Sequence, residues 1–314
     1  MIPTESINIQ GNISSEDTSF ENLTDDIHRI MNENSNCSED TTHDDSPIEK
    51  LHKLKLKYWN RLLIGSLNIN SLRNKFDMLS DTIKDRLDVL VVLETKLDSS
   101  FPDAQFQIEG FNGPYRLDRN CHGGGVIIYV KNAISSRQLR KFKGKENFEG
   151  IFVELNLRSH KILLFGGYRS EHENFGMSKE DFLHQLNLGL DSYCEYDKVL
   201  IAGDLNMSES DPDLQDFLAH IDGKCLVKEP TCFKNAQSPS TVDHFITNSP
   251  SLFQNTNAFN IGLSDFHLLI VTVLKVGIPK QEPKTVTYRS FRNYDEQKFR
   301  YELRNELKKD VSLS

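Results

Sequence analysis

A chain of 314 residues is long enough to bury a large α/β core, and no apolar run in it nears the roughly 18 residues needed to cross a bilayer. Its net charge of −9 is concentrated at one end: residues 1–50 hold twelve acidic residues against Arg29 and Lys50, and the remainder carries 35 basic and 34 acidic side chains. The acidic balance therefore excludes nothing about what the body of the chain binds. Five scattered cysteines (Cys37, Cys121, Cys194, Cys225, Cys232), odd in number and without CxxC spacing, argue against a disulfide framework or zinc site and fit a reducing compartment. The opening MIPTESINIQ lacks the basic-then-apolar pattern of a signal peptide, so the expectation is a soluble, intracellular protein with no membrane association.

Residues 1–55 are rich in Ser, Asn, Thr, Asp and Glu and poor in aromatics, a composition that predicts a disordered acidic tail. From about residue 58 the texture becomes globular. Arg61–Leu67 reads as a strand, and Leu72, Phe76, Leu79 and Ile83 at helical spacing predict a helix over Ser71–Leu87. Asp88–Leu93 is a nearly continuous apolar run, the mark of a strand covered on both faces. Gly125–Val130 reads as another strand, and Ile151–Leu155 with Lys161–Phe165 as a hairpin. A helix capped by Ser178 is predicted to run to Tyr193, followed by a buried strand at Lys198–Ala202 and a closing strand at Leu268–Leu274. Beyond Val276 the stretch Gly277–Thr287 reads as a linker, and Phe299, Leu303 and Leu307 predict a helix over Asp295–Lys309. Many strands with few helices between them point to an α/β four-layer sandwich, two mixed sheets face to face with helices outside. A doubly wound sheet, which would alternate strand and helix more strictly, ranks second.

Short polar groups follow the predicted buried strands: Asn68-Ile-Asn70, Glu94-Thr-Lys96, Gly167-Tyr168 and Gly203-Asp204-Leu-Asn206; Ser264-Asp265-Phe-His267 precedes the last one. Ligand sites in α/β proteins gather where several strand ends meet. Singly, each group reads as an ordinary loop or turn; jointly, they offer the carboxylate, amide, phenol and imidazole groups that phosphate-ester hydrolysis requires. Such a reaction needs a hard cation held by carboxylate oxygens, a base for the attacking water and donors for the phosphoryl oxygens. Asp204 and Asn206, two apart, share a side in extended chain, and Asp265 has the same relation to His267, which lets the carboxylate orient the imidazole.

The series LNIN (67–70), LET (93–95), GY (167–168), GDLN (203–206), TVDHF (241–245) and LSDFH (263–267) resembles the endonuclease/exonuclease/phosphatase superfamily. SLNINSLRNKFDML, GGGVIIYVK and TYRSFRNYDEQKFRYEL look most like the exonuclease III/AP-endonuclease-like domain of non-LTR retrotransposons. The resemblance implies a two-sheet sandwich over residues 58–277, with 278–314 as a linker and helix like the segment that precedes a reverse transcriptase. It also implies a Mg²⁺-dependent endonuclease that nicks DNA, with Mn²⁺ as an alternative ion, and that substrate suggests a nuclear address; no obligate protein partner is evident in the sequence. Glu94 matches the principal metal carboxylate and Asn68 the residue that positions it and helps hold the metal. Tyr168 matches the tyrosine near the scissile phosphate, Asp204 the aspartate that activates water, and Asn206 the amide donor. Asp243 matches the acidic residue near the active centre, Asp265 and His267 the terminal Asp–His pair, and Thr231 a threonine near DNA.

Two departures stand out: Phe266 separates Asp265 from His267 where the family has them adjacent, and Tyr168-Arg169 lacks the usual following proline. A backbone bulge is the expected remedy for the first. Arg137, Arg140 and Lys141, with Lys143 and Lys145, form a basic cluster that could neutralise DNA phosphates, although a solvated charge run has the same composition. The rival functional readings are a catalytically weakened relic acting as a nucleic-acid or partner-binding module, and a phosphatase or other phosphodiesterase of the same superfamily.

Overall fold

A computed structural model describes residues 45–171, 176–277 and 295–301. The chain divides into two compact units, Asp44–Lys280 and a second made of Met1–His43 with Gln281–Ser314. In the second, residues 296–301 are helical, within the predicted Asp295–Lys309 helix, and Arg300 pairs with Glu296 one turn earlier. The expectations for residues 1–44, the linker beyond Gly277 and residues 302–314 lie outside the described residues.

In the larger unit, one sheet has the order β11 (Phe253–Phe259), β12 (Leu269–Gly277), β1 (Arg61–Asn68), β2 (Val89–Leu93), β4 (Val126–Val130), β3 (Tyr115–Leu117). The other runs β5 (Ser135–Leu139), β6 (Glu149–Leu157), β7 (His160–Tyr168), β8 (Val199–Asp204), β10 (Asp243–Thr247), β9 (Lys224–Cys225). Both sheets are mixed. Each centres on one parallel pair, β1 with β2 and β7 with β8, and every other pairing is antiparallel.

The alternation of side chains across a strand explains the continuous apolar runs. In β2, Val89, Val91 and Leu93 face the other sheet and, with Ile64 and Ile128 of their own sheet, meet Val153, Leu164, Ala202 and Phe245 there. Leu90 and Val92 face outward and pack beneath α1 (Pro47–Lys57) and α2 (Phe76–Ile83) with Leu51, Leu79 and Ile83. On the opposite flank, α3 (Lys179–Ser192) and α4 (Pro212–His220) lay Phe182, Leu186, Leu214 and Phe217 against Leu163 and Ile201. The result is the expected four-layer sandwich.

Two expectations need correction. The acidic-tail reading extended to residue 55, but residues 47–57 form α1. Its capping box joins Ser46 and Glu49, Leu51 is fully buried, and Lys55 donates to buried Asp88 at 2.7 and 2.9 Å. Composition hid this helix because one buried leucine and one ion pair anchor it. The predicted Ser71–Leu87 helix also starts later, at Phe76. The backbone N–H groups of Ile69, Ser71 and Leu72 donate to the carbonyls of Leu93, Glu94 and Thr95, and Asn70 and Ser71 have φ of 50° and 87°. A chain segment paired in that way cannot also begin a helix. The remaining long elements match: β6 and β7 form the predicted hairpin, and Ser178 caps α3.

Leu51→Ala is expected to cost about 2–5 kcal/mol of unfolding free energy, the range for a buried leucine. Denaturant unfolding measures it; a loss under about 0.5 kcal/mol, typical of an exposed position, would mean that α1 does not dock.

Candidate active site

The central parallel pairs bring four strand ends together. β1 ends at Asn68, β7 at Tyr168 and β8 at Asp204, while Glu94 follows β2. β10 runs antiparallel to β8 with Asp243 directly opposite Asp204. Close approach of the strands is built in at Gly203, where an added Cβ would stand 2.0 Å from the Gly167 carbonyl oxygen.

At the centre is the Asn68 side-chain amide. Its Nδ2 donates to Glu94 Oε1 at 2.8 Å and to Asp204 Oδ2 at 2.9 Å, while its Oδ1 accepts from the Asn70 backbone N–H at 3.2 Å. This is the amide orientation that gives both carboxylates a donor. It makes Asn68 the positioner of the two acids. Glu94 is held at φ 51°, an uncommon backbone state for a non-glycine residue, between backbone hydrogen bonds from Ser71 and to its neighbours' carbonyls. Lys96 lies 3.9 Å from Glu94 and donates to the Asn70 side-chain oxygen.

Asp204 is fully enclosed. Burial and the facing Asp243 carboxylate push its pKa up, against the opposing influence of His267, Asn68 and the Asn206 N–H. Asp243 Oδ2 accepts from Thr231 Oγ1 at 2.7 Å and from His267 Nδ1 at 2.9 Å. A carboxylate with nothing to donate fixes the imidazole proton on Nδ1. For His267, burial disfavours the charged ring, but the hydrogen bond and charge of Asp243, with Asp204 and Glu94, outweigh it and raise its pKa.

The carboxylate that orients His267 is therefore Asp243, not Asp265 as the two-residue spacing suggested. Asp265 is exposed at the mouth, where it accepts from Asn70 Nδ2 at 2.8 Å and lies 3.9 Å from Lys75. The remedy is not the expected bulge: Cys232 and His267 pair in a regular antiparallel bridge, with Phe233 N–H donating to the Phe266 carbonyl and Leu268 N–H to the Thr231 carbonyl, and Phe266 stands exposed. The extra residue is accommodated outside, and the imidazole returns to the acids.

Asn206 and Asp204 do not share a side through extended chain. Asn206 sits at φ 49° with its N–H bonded to Asp204 Oδ1 at 3.0 Å, and its Nδ2 donates to the Arg169 carbonyl at 2.7 Å. Where the family's proline is missing, buried Arg169 ties the loop, donating to the carbonyls of Leu205 and Asn206 at 2.7 Å each and of Met177 at 3.2 Å. Tyr168 is buried beside Glu94 and Asp204; desolvation first, then those two charges, keep its phenol protonated.

Thr231 is fully buried and supports Asp243 instead of lying on a DNA-facing surface. The basic cluster is also elsewhere. Arg137 pairs with Glu154, five residues along β6 from the Glu149–Tyr168 row, on the order of 17 Å away. Arg140 donates to Gln138, and Lys141 donates to the Ser192 carbonyl at the end of α3. Sequence reasoning missed Glu149, a buried carboxylate opposite Tyr168 that pairs with Arg119 and accepts the Gly125 N–H at 2.6 Å. Only the GGG run hinted at it: a Cβ on Gly124, at φ +66°, would meet a Glu149 oxygen at 2.2 Å.

The donor set suits a divalent cation. Glu94 and Asp204 present oxygens around one amide nitrogen, the hard ligands that Mg²⁺ and Mn²⁺ take. Asp204, Asp243 and His267 also offer ligand atoms within 4.8 Å of one another, but His267 Nδ1 is already committed to Asp243.

Residues 65–265 match the model of the endonuclease/exonuclease/phosphatase family. No curated protein matches the sequence. The solved endonuclease domain of TRAS1, a telomere-specific non-LTR retrotransposon, is 14% identical with a TM-score of 0.55, the match covering 70% of this chain and 100% of that one. The Xenopus laevis APE2 catalytic domain is 17% identical with a TM-score of 0.56, covering 71% and 95% respectively. A 3′-5′ exonuclease, NExo, from Neisseria meningitidis is 15% identical with a TM-score of 0.53, covering 68% and 99%. At such identities the likeness is one of fold.

Asp243→Asn removes the principal favourable partner of the imidazolium, so the His267 pKa is expected to fall. A proton NMR titration of the ring reads it; an unchanged or higher value would contradict the pairing.

Proposed function

Because the chain belongs to the endonuclease/exonuclease/phosphatase family, we propose that it is a Mg²⁺-dependent DNA endonuclease that nicks one strand by hydrolysing a phosphodiester bond. The observation that carries the reading is the convergence of Glu94 and Asp204, from different sheets, on the Asn68 amide, with the Asp243–His267 pair alongside.

Glu94 would hold Mg²⁺, with Mn²⁺ as a substitute, and Asn68 keeps its carboxylate aimed. The ion, when bound, neutralises charge on the phosphoryl oxygens. Asp204 takes a proton from the attacking water, a task that suits a carboxylate whose pKa is raised. Water oxygen bonds to phosphorus as the bond to the 3′ oxygen breaks, leaving a 5′ phosphate and, after protonation by solvent, a 3′ hydroxyl. Tyr168, kept protonated, and the Asn206 amide are donors for the phosphoryl oxygens. His267, oriented by Asp243, places its imidazole where negative charge develops. Asp265 acts at the mouth through Asn70.

The DNA substrate and an origin in a non-LTR retrotransposon are supported by the SLNINSLRNKFDML and GGGVIIYVK phrases and by the fold shared with the TRAS1 domain. A nuclear address follows from that substrate. The domain responsible is the compact unit Asp44–Lys280, α1 included. Phosphatase activity, which the family description also covers, is the competing chemistry.

Supercoiled plasmid with Mg²⁺ is expected to become nicked circle, and Asp204→Ala to slow nicking by about 10²–10⁴-fold. Release of phosphate from a 3′-phosphate oligonucleotide without plasmid nicking would replace the endonuclease reading with a phosphatase. Glu94→Gln is expected to raise the Mg²⁺ concentration needed for half-maximal nicking; an unchanged requirement would remove Glu94 from the metal. The wild-type rate is expected to rise with pH as Asp204 loses its proton, and this limb should move to lower pH in Asp243→Asn, which deletes the facing like charge. A limb that stays in place would acquit Asp204 as the base.

A further inference from the structure

We propose that Cys232 and His267 form a binding site for a soft divalent cation, Zn²⁺ or Cd²⁺, beside the oxygen-lined cleft, and that filling it blocks the enzyme. The two residues are opposed across a short antiparallel bridge that puts their side chains on one face. Cys232 Sγ lies 3.5 Å from His267 Nε2. Tetrahedral zinc, with Zn–S of about 2.3 Å and Zn–N of about 2.0–2.1 Å, holds its sulfur and nitrogen ligands about 3.6 Å apart. The pair is thus already at ligand spacing; in the metal-free chain the same approach is a thiol–imidazole hydrogen bond.

The surroundings suit a cation. His267 Nδ1–H donates to Asp243 at 2.9 Å, which leaves the Nε2 lone pair facing the sulfur. Thr231 holds Asp243 in turn at 2.7 Å. A carboxylate on the far nitrogen of a ligating imidazole is the usual outer support of a zinc site. The Asp243 and Asp204 carboxylates lie near enough to attract a cation, while burial first and then those two charges push the Cys232 thiol up against a backbone hydrogen bond from Lys234, so the ion has to displace the thiol proton. On binding, Sγ and Nε2 bond the ion as the thiol proton, and the Nε2 proton of the charged ring, leave to solvent. Sulfur and nitrogen select against Mg²⁺, which wants oxygen, so the two subsites differ in hardness and hold different ions. Water would fill the remaining coordination positions. An ion on Nε2 withdraws His267 from the phosphate, so binding stands on Cys232 and His267 alone, whereas inhibition rests on the hydrolase reading above.

Co²⁺ added to the full chain is expected to give a near-ultraviolet thiolate-to-metal absorption band that Zn²⁺ displaces. The band should vanish in Cys232→Ser and Cys232→Ala, with folding checked by far-ultraviolet circular dichroism, and persist in Cys225→Ser. Removing a ligand should weaken Zn²⁺ more than the about 10–100-fold lost on deleting an outer-shell partner. In the presence of Mg²⁺, micromolar Zn²⁺ should then suppress nicking by wild type and spare Cys232→Ser, each relative to its own Mg²⁺-only rate. If the Cys232 variants unfold, ¹¹³Cd NMR of the wild type decides: a downfield, thiolate-ligated resonance supports the site and an oxygen-only shift overturns it. No band in wild type, or an equal band in folded Cys232→Ser, also overturns it. A chain that nicks no DNA yet shows the Cys232-dependent band would lose the nuclease reading and keep the metal site.

Discussion

One amide nitrogen ties the molecule's working end together. Asn68 Nδ2 serves a carboxylate from each sheet, Glu94 beyond β2 and Asp204 at the end of β8. Two acids so placed, one of them fully buried, would repel each other and lose hydration together unless a donor stood between them. The amide supplies that donor from β1, at the seam where the sheets face one another. Backbone pairing of residues 69–72 with Leu93, Glu94 and Thr95 then holds the Glu94 loop, at the cost of delaying α2 to Phe76.

The sheets repeat one plan. In each, a central parallel pair sends two C-terminal ends to the same edge, β1 and β2 in one sheet, β7 and β8 in the other. One half contributes Asn68 and Glu94, the other Tyr168 and Asp204. The cleft therefore belongs to neither half alone, and its charge balance depends on the packing of the inner core between them. Around it a second tier of pairs fixes the acids: Thr231 on Asp243, Asp243 on His267, Arg119 on Glu149 and Arg169 on the Leu205–Asn206 turn. An acidic cleft of this kind is electrostatically unfavourable on its own, which is the condition under which a divalent cation binds strongly.

The strands legible in the sequence were those buried on both faces, since VLVVL of β2 and the runs of β8 and β12 have no polar face to blur them. Edge strands β5, SSRQL, and β11, FQNTNAF, carry polar residues because a face or margin meets water, and they lack the apolar run that marks the others. Glu94, Asp204 and Asn68 were legible because each directly follows or ends a central strand. Long-range pairing was not. Two-residue spacing linked Asp265 to His267, yet the bridge to Cys232 turns the ring to Asp243, 24 positions away. Glu149 and Arg169 likewise owe their roles to contacts that no local pattern encodes. The basic run near Arg137 was the reverse case, a local pattern whose members serve Glu154, Gln138 and the end of α3.

The account stands or falls with a cation held where the two sheets meet. Anomalous scattering from crystals soaked in Mn²⁺ locates it directly. A peak within about 2.2 Å of a Glu94 carboxylate oxygen, with Asp204 beside it, is the predicted result. Diffraction from well-occupied crystals with no peak at Glu94, or with manganese bound only at a distant acidic patch, would contradict it.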